Sequence, residues 1–308
     1  MKRRNFIKTA VTSAVAGSLQ MPSVKLFAKD ITEERTPDLI AVMGGEPVEM
    51  YARAMEALGG VGKYVKRGQK VVVKPNIGWD KSPEEGANTN PELVAAIVKD
   101  CLKAGALEVV VFDNTCDEWQ ACYKKSGIET AAKAAGAKMA FGNEERYYKE
   151  VSLPKGVRLK KTKIHEAILN CDVWFNVPVL KHHGSAKMTI SMKNYMGIVW
   201  DRRIMHANDL QQSIADVASY AKKPALHIVD AYRIMTRNGP KGKSIEDVQM
   251  GKALFVSPDM VAVDTAAVNF FNQMTPMTIT DASHIIKGEE MQLGTTQLAN
   301  LKIERIRL

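Results

Sequence analysis

The chain has 308 residues, 45% of them hydrophobic and 25% charged, values that fit a soluble globular protein and exclude a disordered tail, a collagenous chain or a multi-span membrane protein. Its formal charge is +9, but six of its 43 basic residues fall in residues 1–29, which hold no acid, leaving 37 basic against 34 acidic residues in the remainder. With no Lys/Arg stripe interleaved with aromatics there, nucleic acid is not an expected partner.

Residues 1–29 open with Lys2-Arg3-Arg4, continue through a small-residue apolar stretch from Thr9 to Val24, and exit at Lys29-Asp30. A membrane span needs about 20 strongly apolar residues, so this stretch reads as a signal peptide. Arg3-Arg4-Asn5-Phe6-Ile7-Lys8 resembles the twin-arginine export signal R-R-x-F-[LI]-K at every position. The expectation is a leader over 1–29 and a single α/β domain over 30–308. Export would use the twin-arginine translocase and end in the periplasm or cell envelope, with membrane anchoring only if the leader stays uncleaved. That route moves folded proteins, which suits a cofactor without naming one.

Past the leader, strand-like and helix-like stretches alternate. Leu39–Met43 reads as a strand, and Val48, Tyr51, Met55 and Leu58 have helical spacing up to Gly59-Gly60. Val71-Val72-Val73 is a continuous apolar run, as expected of a strand covered on both faces. Asn90-Pro91 opens a helix that Gly105 ends, and Val109–Phe112 is the next strand, a spacing that suits a right-handed parallel crossover. A helix is expected over 128–135, a strand over 137–141, and a charged hairpin or excursion over 144–163. Val173–Val177 is a further buried strand. A helix over 208–220, a strand at Leu226–Val229, a strand at Leu254–Val256 and a helix over 258–271 complete the pattern. The fold class is α/β: a three-layer sandwich around a mainly parallel sheet, with a small excursion in mid-chain.

In such sheets ligands bind beyond the carboxyl ends of the strands. Lys74-Pro75-Asn76, Asp113-Asn114-Thr115, Lys181-His182-His183-Gly184 and Asp230 each follow an apolar run, so parallel strands would bring them to one rim. Lys74, Lys181, Lys187 and Lys193 could together hold a phosphate or carboxylate. His182 and His183 are candidates for acid/base work or metal ligation, because imidazole titrates near neutrality; on a strand, however, adjacent histidines face opposite ways. His206 sits in a polar loop with Arg202 and Arg203, and Asn238-Gly239-Pro240 marks a turn beside the rim. His227, inside an apolar run, reads as a core histidine.

The four cysteines, Cys101, Cys116, Cys122 and Cys171, form no C-x-x-C pair, so no iron–sulfur ligand run or zinc ribbon is present. Cys116 and Cys122 could pair in an oxidising compartment, though free thiols are the favoured reading; Cys101 and Cys171 sit in core-like contexts. Motifs for a P-loop, dinucleotide binding, a serine esterase or a zincin are missing from the sequence.

Several segments carry a resemblance. Val71-Val72-Val73-Lys74-Pro75-Asn76, Thr89-Asn90-Pro91-Glu92-Leu93, Asn176–His183, Met192–Gly197, Val229-Asp230 with Asn238-Gly239-Pro240, and Asp259–Asp264 resemble, in order, the signature segments of the Domain of Unknown Function 362 family. The resemblance implies an α/β domain, often exported and sometimes fused to a ferredoxin-like module, whose cysteine ligands this chain lacks. It implies a site map and no reaction.

The leading expectation is an exported enzyme acting on a small anionic molecule. Lys181, His182, His183 and Asp230 would be catalytic, and Lys74, Asn76, Thr89, Lys193, Asn194 and Asp264 would bind substrate. A metal or redox cofactor is compatible with the histidines but not specified. The alternatives are a non-catalytic ligand-binding or accessory protein of an envelope redox system and a metal-dependent redox enzyme.

Overall fold

The structure is a computed structural model that describes residues 36–308, which form one compact unit; the expected leader lies outside the described residues. In chain order the strands and helices are β1 (Leu39–Met43), α1 (Pro47–Ala57), β2 (Lys70–Pro75), α2 (Pro91–Lys103), β3 (Glu108–Val111), α3 (Trp119–Lys125), α4 (Ile128–Ala134) and β4 (Lys138–Met139). The middle of the chain gives β5 (Tyr148–Ser152), β6 (Lys161–His165), α5 (Glu166–Asn170), β7 (Val173–Val177), β8 (Lys181–His183), β9 (Lys187–Thr189), α6 (Ser191–Asn194) and α7 (Arg203–Ala207). Then come α8 (Leu210–Ala218), β10 (Leu226–Met235), β11 (Val248–Ser257), α9 (Met260–Phe271), α10 (His284–Glu290) and β12 (Ile303–Arg307).

Eight strands make one sheet in the order β12-β1-β11-β10-β7-β2-β3-β4. The block from β10 to β4 is parallel throughout, and β1 pairs in parallel with β12. The triple-valine run of β2 shows why a sandwich results. Val71 and Val73 enter the layer formed with α1 and α2, beside Met50, Leu93 and Ile97. Val72 enters the opposite layer, beside Trp174, Ile214, Val217 and Val261. Fully burying one such side chain contributes about 1.5–3 kcal/mol, so both faces must be covered.

The helix starts follow the sequence chemistry. Asn90 accepts hydrogen bonds from the N–H groups of Glu92 (2.8 Å) and Leu93 (3.3 Å) at the start of α2, and Asp259 accepts from Val261 and Ala262 at the start of α9. The charged excursion is the antiparallel β5–β6 hairpin. Beneath it the buried Asp216 carboxylate accepts three hydrogen bonds from the N–H groups of Val157, Arg158 and Leu159. Among the described residues, no helix is long and apolar enough to cross a membrane.

Two expectations change. The strand expected to end at Val229 continues to Met235 and forms a long antiparallel hairpin with β11, which also runs antiparallel to β1. Asp230 therefore lies within a strand and not beyond its end. An acidic residue after an apolar run resembles a strand terminus in sequence, but here the backbone of Asp230 pairs onward, with Leu180 N–H donating to its carbonyl at 2.8 Å.

Candidate functional site

Beyond the carboxyl ends of β2, β3 and β7 lies a small cup. Its floor is an ion pair. The Lys74 side chain, fully buried, reaches Asp113 Oδ1 at 2.8 Å and donates to Asn194 Oδ1 at 2.8 Å. The second Asp113 oxygen accepts from Ile77 N–H at 2.7 Å, so this carboxylate is fully committed. Gly197 lies against the pair, and a methyl group there would overlap both Asp113 Oδ1 and Lys74 Nζ. A glycine is needed at this close approach.

Amides build the next layer. Asn194 Nδ2 donates to Asn176 Oδ1 at 2.8 Å, and Asn76 Nδ2 donates to Asn194 Oδ1 at 3.2 Å. Thr89 fixes the β2 end from below: its hydroxyl donates to Val177 O and accepts from Asn76 N–H. Lys181, also buried, donates to Asn76 Oδ1 at 3.1 Å and to the Ala87 carbonyl.

Three more groups bring charge or open polarity to the cup. Lys193 lines it from α6 with no hydrogen-bond or ion-pair partner among the described residues. Arg202 donates to the Asn114 carbonyl at 2.8 Å and to Cys116 Sγ at 3.3 Å. Thr189, at the end of β9, is 3% exposed, lines the cup, and its hydroxyl has no partner. A buried hydroxyl without a partner costs about 1–3 kcal/mol, which makes this orphan informative.

Four cations thus meet one carboxylate, and that carboxylate belongs to Lys74. Burial pushes the Lys181 amine down to about 7, with Lys193 and Lys74 adding to the depression against the opposing influence of Cys116. Burial likewise brings Lys193 down to about 8, helped by Arg202 and Lys74. Lys181 and Lys193 thus bring charge of one sign to a confined space, and neither has a carboxylate partner among the described residues. The space is about 40 Å³. A single water needs about 10–15 Å³ on this kind of measure, so the cup holds one small group, and the rest of any larger ligand must lie outside it.

The two histidines separate as neighbours on a strand must, since Lys181–His183 forms β8. His183 lines the cup. Burial, then the Lys193 and Lys181 charges, push its imidazole down to about 2. Its Nδ1 accepts from Ala186 N–H at 3.1 Å, which leaves Nε2 carrying the proton of the neutral ring. His183 is a neutral donor here and does not titrate near neutrality as expected. His182 is turned away, its Nδ1 accepting from Gly239 N–H at 3.1 Å.

The two expected aspartates also lie apart from the cup. Asp230 accepts backbone N–H donors from Asn90 (2.7 Å) and Tyr232 (3.0 Å), and burial holds its carboxyl up at about 6. Asp264 accepts from Ser191 (2.8 Å) and Met192 (2.9 Å) at the start of α6, and burial raises it to about 7. Both position backbone segments that lead into the cup. The structure therefore brings Lys74, Asn76, Lys181, His183, Lys193 and Asn194 together, and leaves Thr89, His182, Asp230 and Asp264 outside as supports.

Sequence reasoning missed Thr189, Cys116 and Arg202 as members of the cup. The strand-end position of Asp113–Thr115 and the Arg202-Arg203 pair were the available signals; Thr189 had none. All four cysteines are free, and Cys116 is the exposed one. His227 is core as expected, with Nδ1 3.0 Å from Asn176 Nδ2, but its Nε2 has no partner. No three His, Cys, Asp or Glu side chains gather at metal-binding spacing among the described residues.

Residues 71–269 match the family model described as Domain of unknown function (DUF362), a span that contains every member of the cup. The chain is similar to thylakoid-associated protein sll1697 of Synechocystis sp., with 28% identity over 233 residues covering 73% of this chain and 70% of the relative. Among solved structures it is similar to the lactate racemase apoprotein from Thermoanaerobacterium thermosaccharolyticum, at a TM-score of 0.41 and 12% identity. That likeness covers 77% of this chain and 57% of the other.

Proposed function

The chain belongs to the family described as Domain of unknown function (DUF362), and from that premise we propose that it binds small molecules through a carboxylate or phosphate group seated in the cup. The observation that carries this reading is the surplus of positive charge: Lys193 and the buried Thr189 hydroxyl, neither with a partner among the described residues, in a space sized for one oxyanion. Lys193 and Lys181 supply charge, Thr189 and neutral His183 supply hydrogen bonds, and the Lys74–Asp113 pair holds the floor. In its enzyme form this reading makes Lys181 a proton donor: its ammonium, which burial brings to about 7, holds the oxyanion and can give a proton to the bound molecule at neutral pH.

The second reading is a non-catalytic binding or accessory protein of the cell envelope. It is favoured by the engagement of Lys181 with Asn76 and the Ala87 carbonyl, which occupies two of its three donors. In either case we place the protein in the envelope through its twin-arginine-like leader; the thylakoid association named for the Synechocystis sp. relative agrees with a membrane-proximal setting.

Thermal unfolding against a panel of carboxylates and phosphates tests the binding claim. A true ligand at a hundredfold excess over its Kd adds about 2.7 kcal/mol of stability, whereas uncharged analogues add none. A panel in which no oxyanion stabilises the chain more than its neutral analogue would refute the reading. Incubation with the best ligand then separates the two forms: conversion supports the enzyme, and quantitative recovery supports the binder.

A further inference from the structure

Cys116 stands at the mouth of the cup, and neither of the readings above uses it. Its thiol is exposed, while Cys101, Cys122 and Cys171 are buried. The Cys116 backbone is held by its N–H donating to the Gly78 carbonyl at 2.8 Å, and Arg202 Nη1 lies 3.3 Å from the sulfur. Behind the sulfur, in the same small space, are Lys193 without a partner and the orphan hydroxyl of Thr189. A nucleophilic sulfur thus flanks a pocket that already lacks an anion.

We infer that Cys116 is a thiol–disulfide exchange site for low-molecular-weight disulfides that carry carboxylates, with a carboxylate seated in the cup while the sulfur bridge forms at its mouth. The inference rests on the proposed oxyanion cup and adds a covalent partner to it. The Cys116 thiol gives its proton to solvent, and the thiolate attacks one sulfur of the incoming disulfide. The new S–S bond forms as the old one breaks, and the departing thiolate takes up a proton. Cys116 is oxidised, the released half is reduced, and no other oxidant is needed.

Selectivity comes from the charge around the sulfur. Arg202, Lys193 and Lys181 attract an anionic disulfide and repel a cationic one, and steering of this kind changes encounter rates by about 10- to 1,000-fold. The buried cysteines are poor competitors: burial pushes Cys101 and Cys122 up to about 12 and raises Cys171, which suppresses the thiolate that exchange requires. Once formed, the adduct fills the cup and blocks other oxyanions.

The test treats the full chain with oxidised glutathione, which is anionic, or with cystamine, which is cationic, and follows intact mass and peptide maps over time. An uncharged reference peptide, acetyl-Ala-Cys-Ala-amide, supplies the intrinsic reactivity of each reagent. The expected result is an adduct at Cys116, with a glutathione-to-cystamine rate ratio at least about tenfold above that of the peptide. That excess should collapse in 1 M salt, where the screening length is about 3 Å, and in Lys193→Gln. The glutathione adduct should also lose the thermal shift given by the best oxyanion. A ratio equal to the peptide's, insensitivity to salt, or adducts on the other cysteines would overturn the inference. Salt needs no variant, so a folding defect in Lys193→Gln does not rescue the idea. If oxyanions still stabilise the unmodified chain while the selectivity is missing, only the exchange site falls; if no oxyanion stabilises it, the cup itself falls.

Discussion

Two cavities among the described residues have opposite character. At the end of the sheet formed by β12, β1 and β11, a space of about 650 Å³ is lined by Leu39, Met43, Phe255, Phe270 and Ile303, with Lys252, Arg305 and Arg307 at its border. The cup over β2, β3 and β7 has about 40 Å³. The larger space has apolar walls and no converging buried polar groups. The smaller one concentrates four cations against one committed carboxylate, with an orphan hydroxyl aimed inward. Volume alone would select the first. Unsatisfied electrostatics select the second, because a buried charge without a partner costs several kcal/mol unless something supplies the missing charge.

The harshest way to break this contrast is to remove the floor of the cup. Lys74→Met leaves Asp113 buried without its cation, and loss of one partner of a buried pair costs about 3–5 kcal/mol. Denaturant unfolding should show a loss of that size, with Gly197→Ala similar in direction because its methyl overlaps the same two atoms. A Lys74→Met chain of unchanged stability would show that the pair does not hold the floor. Lys74 was expected from the sequence to bind substrate directly; the structure buries it completely against Asp113 at the floor of the cup.

Lys193→Gln sharpens the contrast, because it removes a cation that has no partner to orphan. Oxyanion affinity should fall about 10- to 100-fold, the worth of one charged hydrogen bond. Stability at neutral pH should rise, because the substitution removes a charge that burial disfavours. Titration calorimetry with the best oxyanion measures the first quantity and chemical denaturation the second. An unchanged affinity would remove Lys193 from the site.

Acidity offers a probe without mutation. In the folded chain Lys181 lies at about 7 and Lys193 at about 8, both below the usual 10.5. From pH 8 to about 10 the unfolded chain keeps protons that the folded chain has released, so unliganded stability should rise through that window. Oxyanion affinity should do the opposite, falling as pH passes 7 and then 8, because binding needs the ammonium forms. Binding at pH 8 should take up protons, measurable by calorimetry in buffers of different ionisation enthalpy. Flat affinity from pH 6 to 9 would separate the lysines from the ligand.

The smallest effect belongs to the apolar cavity. Ala41→Leu adds three carbons to a wall of that space and should leave oxyanion affinity within about twofold while shifting stability by less than about 1.5 kcal/mol. A large loss of oxyanion binding would tie the two cavities together and end the contrast.

Much of the scaffold was legible because its signals are local. The triple valine of β2 announced a strand covered on both sides, and Asn90-Pro91 announced a helix start that the cap geometry bears out. The cup was half legible: Lys181, Lys193, Asn76 and Asn194 follow or lie near strand ends, where parallel topology gathers them. Asp230 and Asp264 lie apart from the cup, and the sequence could not show it, for a physical reason. A carboxylate beside an apolar run looks the same in sequence whether it faces a ligand or accepts backbone N–H groups from a distant segment, and here the donors are Asn90, Tyr232, Ser191 and Met192. Thr189 was invisible because an orphan hydroxyl is defined by what surrounds it. His183 looked like a neutral-pH switch until the neighbouring lysines and its burial were known.

The central claim is that one oxyanion belongs between Lys193 and Thr189. Selenate is an oxyanion whose selenium scatters anomalously, so crystals of the chain soaked in it give a direct reading. The account predicts an anomalous peak inside the cup, with oxygens within hydrogen-bond distance of Lys193 Nζ and Thr189 Oγ1. Peaks confined to exposed lysines, with the cup left to water, would contradict it.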